Sequence, residues 1–72
     1  MDKLDTMPRI YGDRLKRLRK ERFLSHRDLA ARSGLSPTTI LNMEQNKGGA
    51  RASTVRKLAE ALGVEPSHLA EQ

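Results

Sequence analysis

The sequence predicts an all-α fold, a compact bundle of four to five short helices. Three observations carry that expectation. Apolar residues recur at helical spacing in two stretches: Tyr11, Leu15 and Leu18, and again Val55, Leu58, Ala59 and Leu62. Between them the chain is punctuated by residues that open and close helices, with Ser25 and Ser36 as openers and Gly34 and Gly63 as closers. No stretch alternates apolar and polar residues as a half-buried strand would. A chain of 72 residues is one domain at most. It contains no cysteine, so disulfides and thiolate metal sites are excluded and a reducing compartment is expected. So small a core depends on tight helix packing or on a partner.

The elements follow in order. Residues 1–8 read as a loose tail ending at Pro8, and residues 9–72 as the domain. The tail has three charges and no apolar stretch, so no secretion signal is expected. Nowhere is an apolar run long enough to span a bilayer, and no membrane partner is expected. A first helix is predicted over about 12–22, with Arg14, Lys16, Arg17, Lys20 and Arg22 on its outer face. Ser25 then caps a second helix over about 26–33, with Asp28 placed to complete a capping box and Leu29 and Ala30 facing inward. Gly34 stops it in the left-handed conformation that glycine adopts most cheaply. Ser36 caps a third helix over about 37–45, opened by Pro37, whose missing N–H costs nothing at that position. Ile40 and Met43 face inward, and Asn46 can close the helix in the left-handed region. A glycine-rich connection leads to the fourth helix, which Gly63 ends. Pro66 opens a last short turn, with Leu69 returning to the core.

Charge is concentrated at one end. Residues 9–32 hold nine Lys or Arg against three acids, whereas residues 33–72 hold four of each. A basic block on a balanced chain points to a polyanion: nucleic acid first, an anionic membrane surface second. Aromatic residues are limited to one Tyr and one Phe. Single-strand binders stack bases on aromatic side chains, so duplex DNA fits this composition better.

The break at Gly34 then acquires a purpose. Two helices of about eight residues joined by a short turn containing glycine form a helix-turn-helix unit, whose second helix can enter the major groove of duplex DNA. That helix needs short hydrogen-bonding side chains on its outward face. Thr38, Thr39 and Asn42 meet the description: Asn can bond adenine through two edges, and Thr offers a hydroxyl or a methyl.

The stretch "LSHRDLAARSGLSPTTILNMEQNK" resembles the helix-turn-helix of the phage-repressor and Cro-like (XRE-type) DNA-binding proteins, and "TVRKLAEALGV" resembles their fourth helix. With "LKRLRKER" before them, the resemblance covers roughly residues 12–69 and implies a lambda-repressor-like domain. It implies that Pro37, Thr38, Thr39 and Asn42 face bases. His26 stands where the family often has Gln bonding a phosphate, and Asn46 and Lys47 match a loop that meets phosphates. Arg27 and Arg51, by their charge, and Ser36, at the start of the recognition helix, complete the phosphate-facing set. Arg19 and Glu44 match an ion pair between the first helix and the end of the third. The chain departs from the family at four places. Phe23 replaces a helix-ending Gly, Ala50-Arg51-Ala52 replaces the usual cap of the fourth helix, His26 replaces an amide, and Leu41 is apolar where the family is polar.

Little supports catalysis. Ser25, His26 and Asp28 lie too close in one helical turn to form a triad. His26 and His68 alone do not make a zinc site, and "NKGGAR" lacks the Walker pattern. No enzyme activity, metal or cofactor is expected. The expected function is sequence-specific binding to double-stranded DNA as a transcriptional repressor, as a homodimer, in the cytoplasm of a bacterium or encoded by a phage. Two alternatives stand beside it. One is an antitoxin or phage adaptor whose main ligand is a protein partner, met by Leu41 and the segment around Leu69. The other is general polyanion binding by the arginine-rich first helix.

Overall fold

The computed structural model describes residues 8–47 and 50–71. The expected tail before Pro8 and the glycine pair of the connection lie outside the described residues. Four helices follow one another: α1 (Gly12–Glu21), α2 (His26–Ser33), α3 (Pro37–Glu44) and α4 (Ala52–Leu62). A 3-10 turn, Pro66–His68, comes after them. Arg22 and Gln45, expected inside α1 and α3, are instead the residues that close them. Helix α4 begins at Ala52, and its N-cap Arg51 accepts no side-chain hydrogen bond. The cap that the departures from the family pattern removed has not been replaced.

The core is built by one large aliphatic residue from each element. Leu15 of α1, Leu29 of α2, Ile40 of α3, Leu58 of α4 and Leu69 after the turn are all fully buried. Each contributes about 1.5–3 kcal/mol relative to exposure. Ala30, Met43, Val55, Ala59 and Leu62 fill the space between them, and Leu24 closes it from the α1–α2 connection. Tyr11 and Leu18 flank Leu15 at the rim, half-buried. The guanidinium of Arg14 lies over the Tyr11 ring, 4.5 Å from its centre, a cation–π contact.

One feature has no counterpart in the sequence pattern. Two short strands, β1 (Arg9–Ile10) and β2 (Ala70–Glu71), pair antiparallel with Arg9 opposite Glu71 and Ile10 opposite Ala70. Tyr11 N–H extends the pairing to the Leu69 carbonyl at 2.7 Å. Ile10 and Ala70 face the core, whereas Arg9 and Glu71 face out as an opposite-charge pair. Two residues per strand are too few to show alternation. The ladder fastens the segment before α1 to the segment after the turn.

Candidate nucleic-acid interface

Helices α2 and α3 are set by their caps. The Ser25 hydroxyl accepts from Asp28 N–H at 3.0 Å, and the Asp28 carboxylate accepts from Ser25 N–H at 2.9 Å. This capping box holds the Asp28 carboxyl below its ordinary pKa, first through the backbone N–H of Ser25 and then through its hydroxyl. At the other end Gly34 takes φ 78°, and Gly34 N–H and Leu35 N–H both return to the Ala30 carbonyl. Three residues, Gly34 to Ser36, therefore turn the chain from α2 into α3. There the Ser36 hydroxyl accepts from Thr39 N–H at 3.1 Å and donates to the Thr39 hydroxyl at 2.8 Å. Pro37 occupies the first turn as expected.

Helix α3 has two unlike faces. Ile40, Met43 and Glu44 are buried, and Pro37, Thr38, Thr39, Leu41 and Asn42 are exposed. The exposed set spans both turns of the helix, so α3 offers Thr38, Thr39 and Asn42, flanked by the apolar Pro37 and Leu41, while its opposite face is held in the core.

The end of α3 is held more firmly than its beginning. Arg19 Nε donates to Glu44 Oε2 at 2.6 Å, and a second guanidinium nitrogen donates to Oε1 at 3.2 Å. The remaining guanidinium nitrogen donates to the Leu24 carbonyl at 2.8 Å. Both side chains of the ion pair are more than nine-tenths buried. His26 Nε2 completes the group at 3.0 Å from Glu44 Oε1. One carboxylate therefore ties α1, the α1–α2 connection and the first residue of α2 to the last residue of α3. Burial pushes the Glu44 carboxyl up. The hydrogen bonds from Arg19 and His26 and their charges outweigh burial and hold it below the usual carboxylate range.

Gly12 makes a second junction. A Cβ built there would lie 2.5 Å from the Glu44 carbonyl and 2.7 Å from the Met43 carbonyl. The N-terminus of α1 therefore abuts the C-terminus of α3 so closely that only glycine fits. The opposed ends of the two helix dipoles favour the approach. Asn46 seals the junction by accepting Gly12 N–H on Oδ1 at 3.1 Å, from a backbone at φ 58°. The sequence marks Gly12 only as a helix start. Its contact partners lie more than thirty residues away, and no local spacing reveals them.

Most of the residues expected at a DNA interface are exposed. Thr38, Thr39 and Asn42 share α3 with Pro37, while Ser36, Asn46 and Lys47 bracket it. Arg27 lies in the first turn of α2 and Arg51 immediately before α4, both exposed. Several of these side chains already have internal partners. His26 reaches Glu44, Asn46 Oδ1 holds Gly12, and the hydroxyls of Ser36 and Thr39 bind each other. No group among the described residues takes up the Asn46 side-chain amino group or the Lys47 ammonium, and both can donate to an outside acceptor. Among the described residues, no three His, Cys, Asp or Glu gather in a way that could hold a metal ion. No helix among them is long and apolar enough to cross a membrane.

Residues 10–72 match the family described as helix-turn-helix domain. The chain is 42% identical over 55 residues to the HTH-type transcriptional repressor RghR of Bacillus subtilis (strain 168), covering 75% of this chain and 41% of that protein. It is 34% identical over 58 residues to the uncharacterized HTH-type transcriptional regulator y4dJ of Sinorhizobium fredii, covering 81% of this chain and 75% of that one. Among solved structures it is similar to the restriction-modification controller protein C.AhdI from Aeromonas hydrophila, with a TM-score of 0.77 at 35% identity. That likeness covers 79% of this chain and 86% of the other. The chain thus spans about two-fifths of the length of the repressor and three-quarters of that of y4dJ.

Proposed function

The chain belongs to the helix-turn-helix domain family, and from that premise we propose that it binds double-stranded DNA and acts as a transcriptional repressor. In this reading α3 enters the major groove and presents Pro37, Thr38, Thr39 and Asn42 to base edges. Lys47, the Asn46 amino group, Arg27, Arg51 and the first residues around Ser36 and His26 meet phosphates and set the register. The observation that carries the reading is the division of α3. A row of small polar residues stands clear of the protein, and Glu44 on the opposite face is clamped by Arg19 and His26. A helix that reads bases must be held rigidly and must offer donors and acceptors. Thr38 and Asn42 have no internal side-chain partner among the described residues, and Thr39, whose hydroxyl accepts from Ser36, keeps its own proton to donate.

A domain of this size buries limited surface on DNA, and useful specificity then calls for two copies on one site. The proposal therefore includes a homodimer on DNA. Selection of bound duplexes from a random library tests it. A recurring inverted repeat is expected, with half-sites about 10 base pairs apart or a multiple of that, so that two α3 helices reach one face of the duplex. Recovery of duplexes with no common motif would contradict base reading and favour general attraction between polyanions and the basic α1.

A further inference from the structure

The outward face of α3 carries two side chains that hydrogen-bonded readout does not use, Pro37 at its start and Leu41 in its second turn, and Leu41 is the longer of the two. Leu41 follows Thr38 by three residues and immediately precedes Asn42, so all three lie toward one side of the helix. It is 40% exposed and takes no part in the core cluster, to which α3 contributes Ile40 and Met43. Leu41 flanks Thr38 on the side away from Asn42, so a groove wall that follows α3 past Thr38 meets it. A major-groove floor offers donors, acceptors and one apolar group, the C5-methyl of thymine. A leucine pressed against a donor or an acceptor would strip it of water and return no hydrogen bond, at a cost to affinity. Against a methyl the same leucine gains by burial.

We propose that Leu41 is a specificity-determining residue, packing on the C5-methyl of a thymine in each half-site of the bound duplex. The proposal rests on the reading of α3 as the base-reading helix. It assigns an apolar contact beside the positions at which Thr38 and Asn42 read polar edges. Cytosine is disfavoured at that position because it lacks the methyl. 5-Methylcytosine, which carries its methyl at the same ring position, is favoured over it.

The test uses the duplex recovered by selection. Each thymine is replaced in turn by deoxyuridine, which removes the methyl and keeps the base pair. Affinities are measured for the parent protein and for Leu41→Ala, with thermal melting to check that the variant is folded. At one thymine per half-site the replacement is expected to weaken the parent about fourfold, the effect of one buried methyl. The same replacement should leave Leu41→Ala binding unchanged. Equal sensitivity in both proteins would assign the methyl to Thr38 or Thr39 and overturn the proposal. So would a duplex in which no thymine is sensitive. If the parent binds every duplex alike, base reading itself fails. That outcome is distinct from selective binding without methyl sensitivity.

Discussion

Glu44 joins three parts of the molecule through one carboxylate. Its two oxygens receive Arg19 twice and His26 once, and Arg19 also reaches the Leu24 carbonyl. Removing one partner of so buried a pair leaves an uncompensated charge, at a cost of about 3–5 kcal/mol. Arg19→Ala is therefore expected to lower the unfolding free energy by that order, as read by urea denaturation. A variant that melts with the parent would show the pair to be without structural weight. The same carboxylate sets an acid limb. Its folded-state pKa lies below the ordinary 4.5, so folding favours the charged form. That stability is fully present above about pH 4.5 and is lost as pH falls through the lower folded-state value. Glu44→Gln should be less stable near neutrality and should lose less on acidification than the parent does. Gly12 gives a steric counterpart. Gly12→Ala drives a methyl against two carbonyls of α3 and should cost about 1–3 kcal/mol in the same measurement.

At the scale of elements, the four helices close in one way on unlike residues. A residue in the left-handed region stands at the end of each: Gly34 at φ 78° and Gly63 at 73° cap α2 and α4 themselves, while Phe23 at 55° and Asn46 at 58° follow the caps Arg22 and Gln45 of α1 and α3. After α1, Phe23 N–H reaches the Lys20 carbonyl and Leu24 N–H the Arg19 carbonyl; after α3, Asn46 and Lys47 repeat the pattern on Met43 and Asn42. Phe23 is the costly member of the set. It is 92% exposed, so it recovers none of the strain through burial. Phe23→Gly is expected to stabilise the protein by about 0.5–1 kcal/mol, because relief of left-handed strain outweighs the added freedom of the unfolded chain. A lower melting temperature would place the value of Phe23 elsewhere in the fold. These helix ends were also the most legible part of the sequence. Serine caps, the Asp28 box and the two glycines work through neighbours three to five residues away, and all stand where local chemistry puts them. The start of α4 was not legible, because no capping side chain marks it. Nor was the β1–β2 ladder, whose two-residue strands carry no period. The Arg19–Glu44 pair emerged only through the resemblance to a family, since 25 residues separate its members. The Asn46 bond to Gly12 N–H, across 34 residues, left no trace in the sequence.

For the whole molecule, binding divides into reading and holding. Small polar side chains on α3 are assigned to base edges, and exposed basic groups beside it to phosphates. The two classes of contact respond differently to DNA sequence and to salt. The most direct test is a binding titration of Asn42→Ala and Lys47→Ala on the selected duplex and on random DNA, over a range of salt. Asn42→Ala should weaken the selected duplex by about 1–3 kcal/mol and leave random DNA almost unaffected. Lys47→Ala should weaken both alike and reduce the slope of log affinity against log salt by about one unit. If Asn42→Ala lowers affinity equally for every sequence, α3 does not read bases, and the row of polar residues on it is ordinary surface.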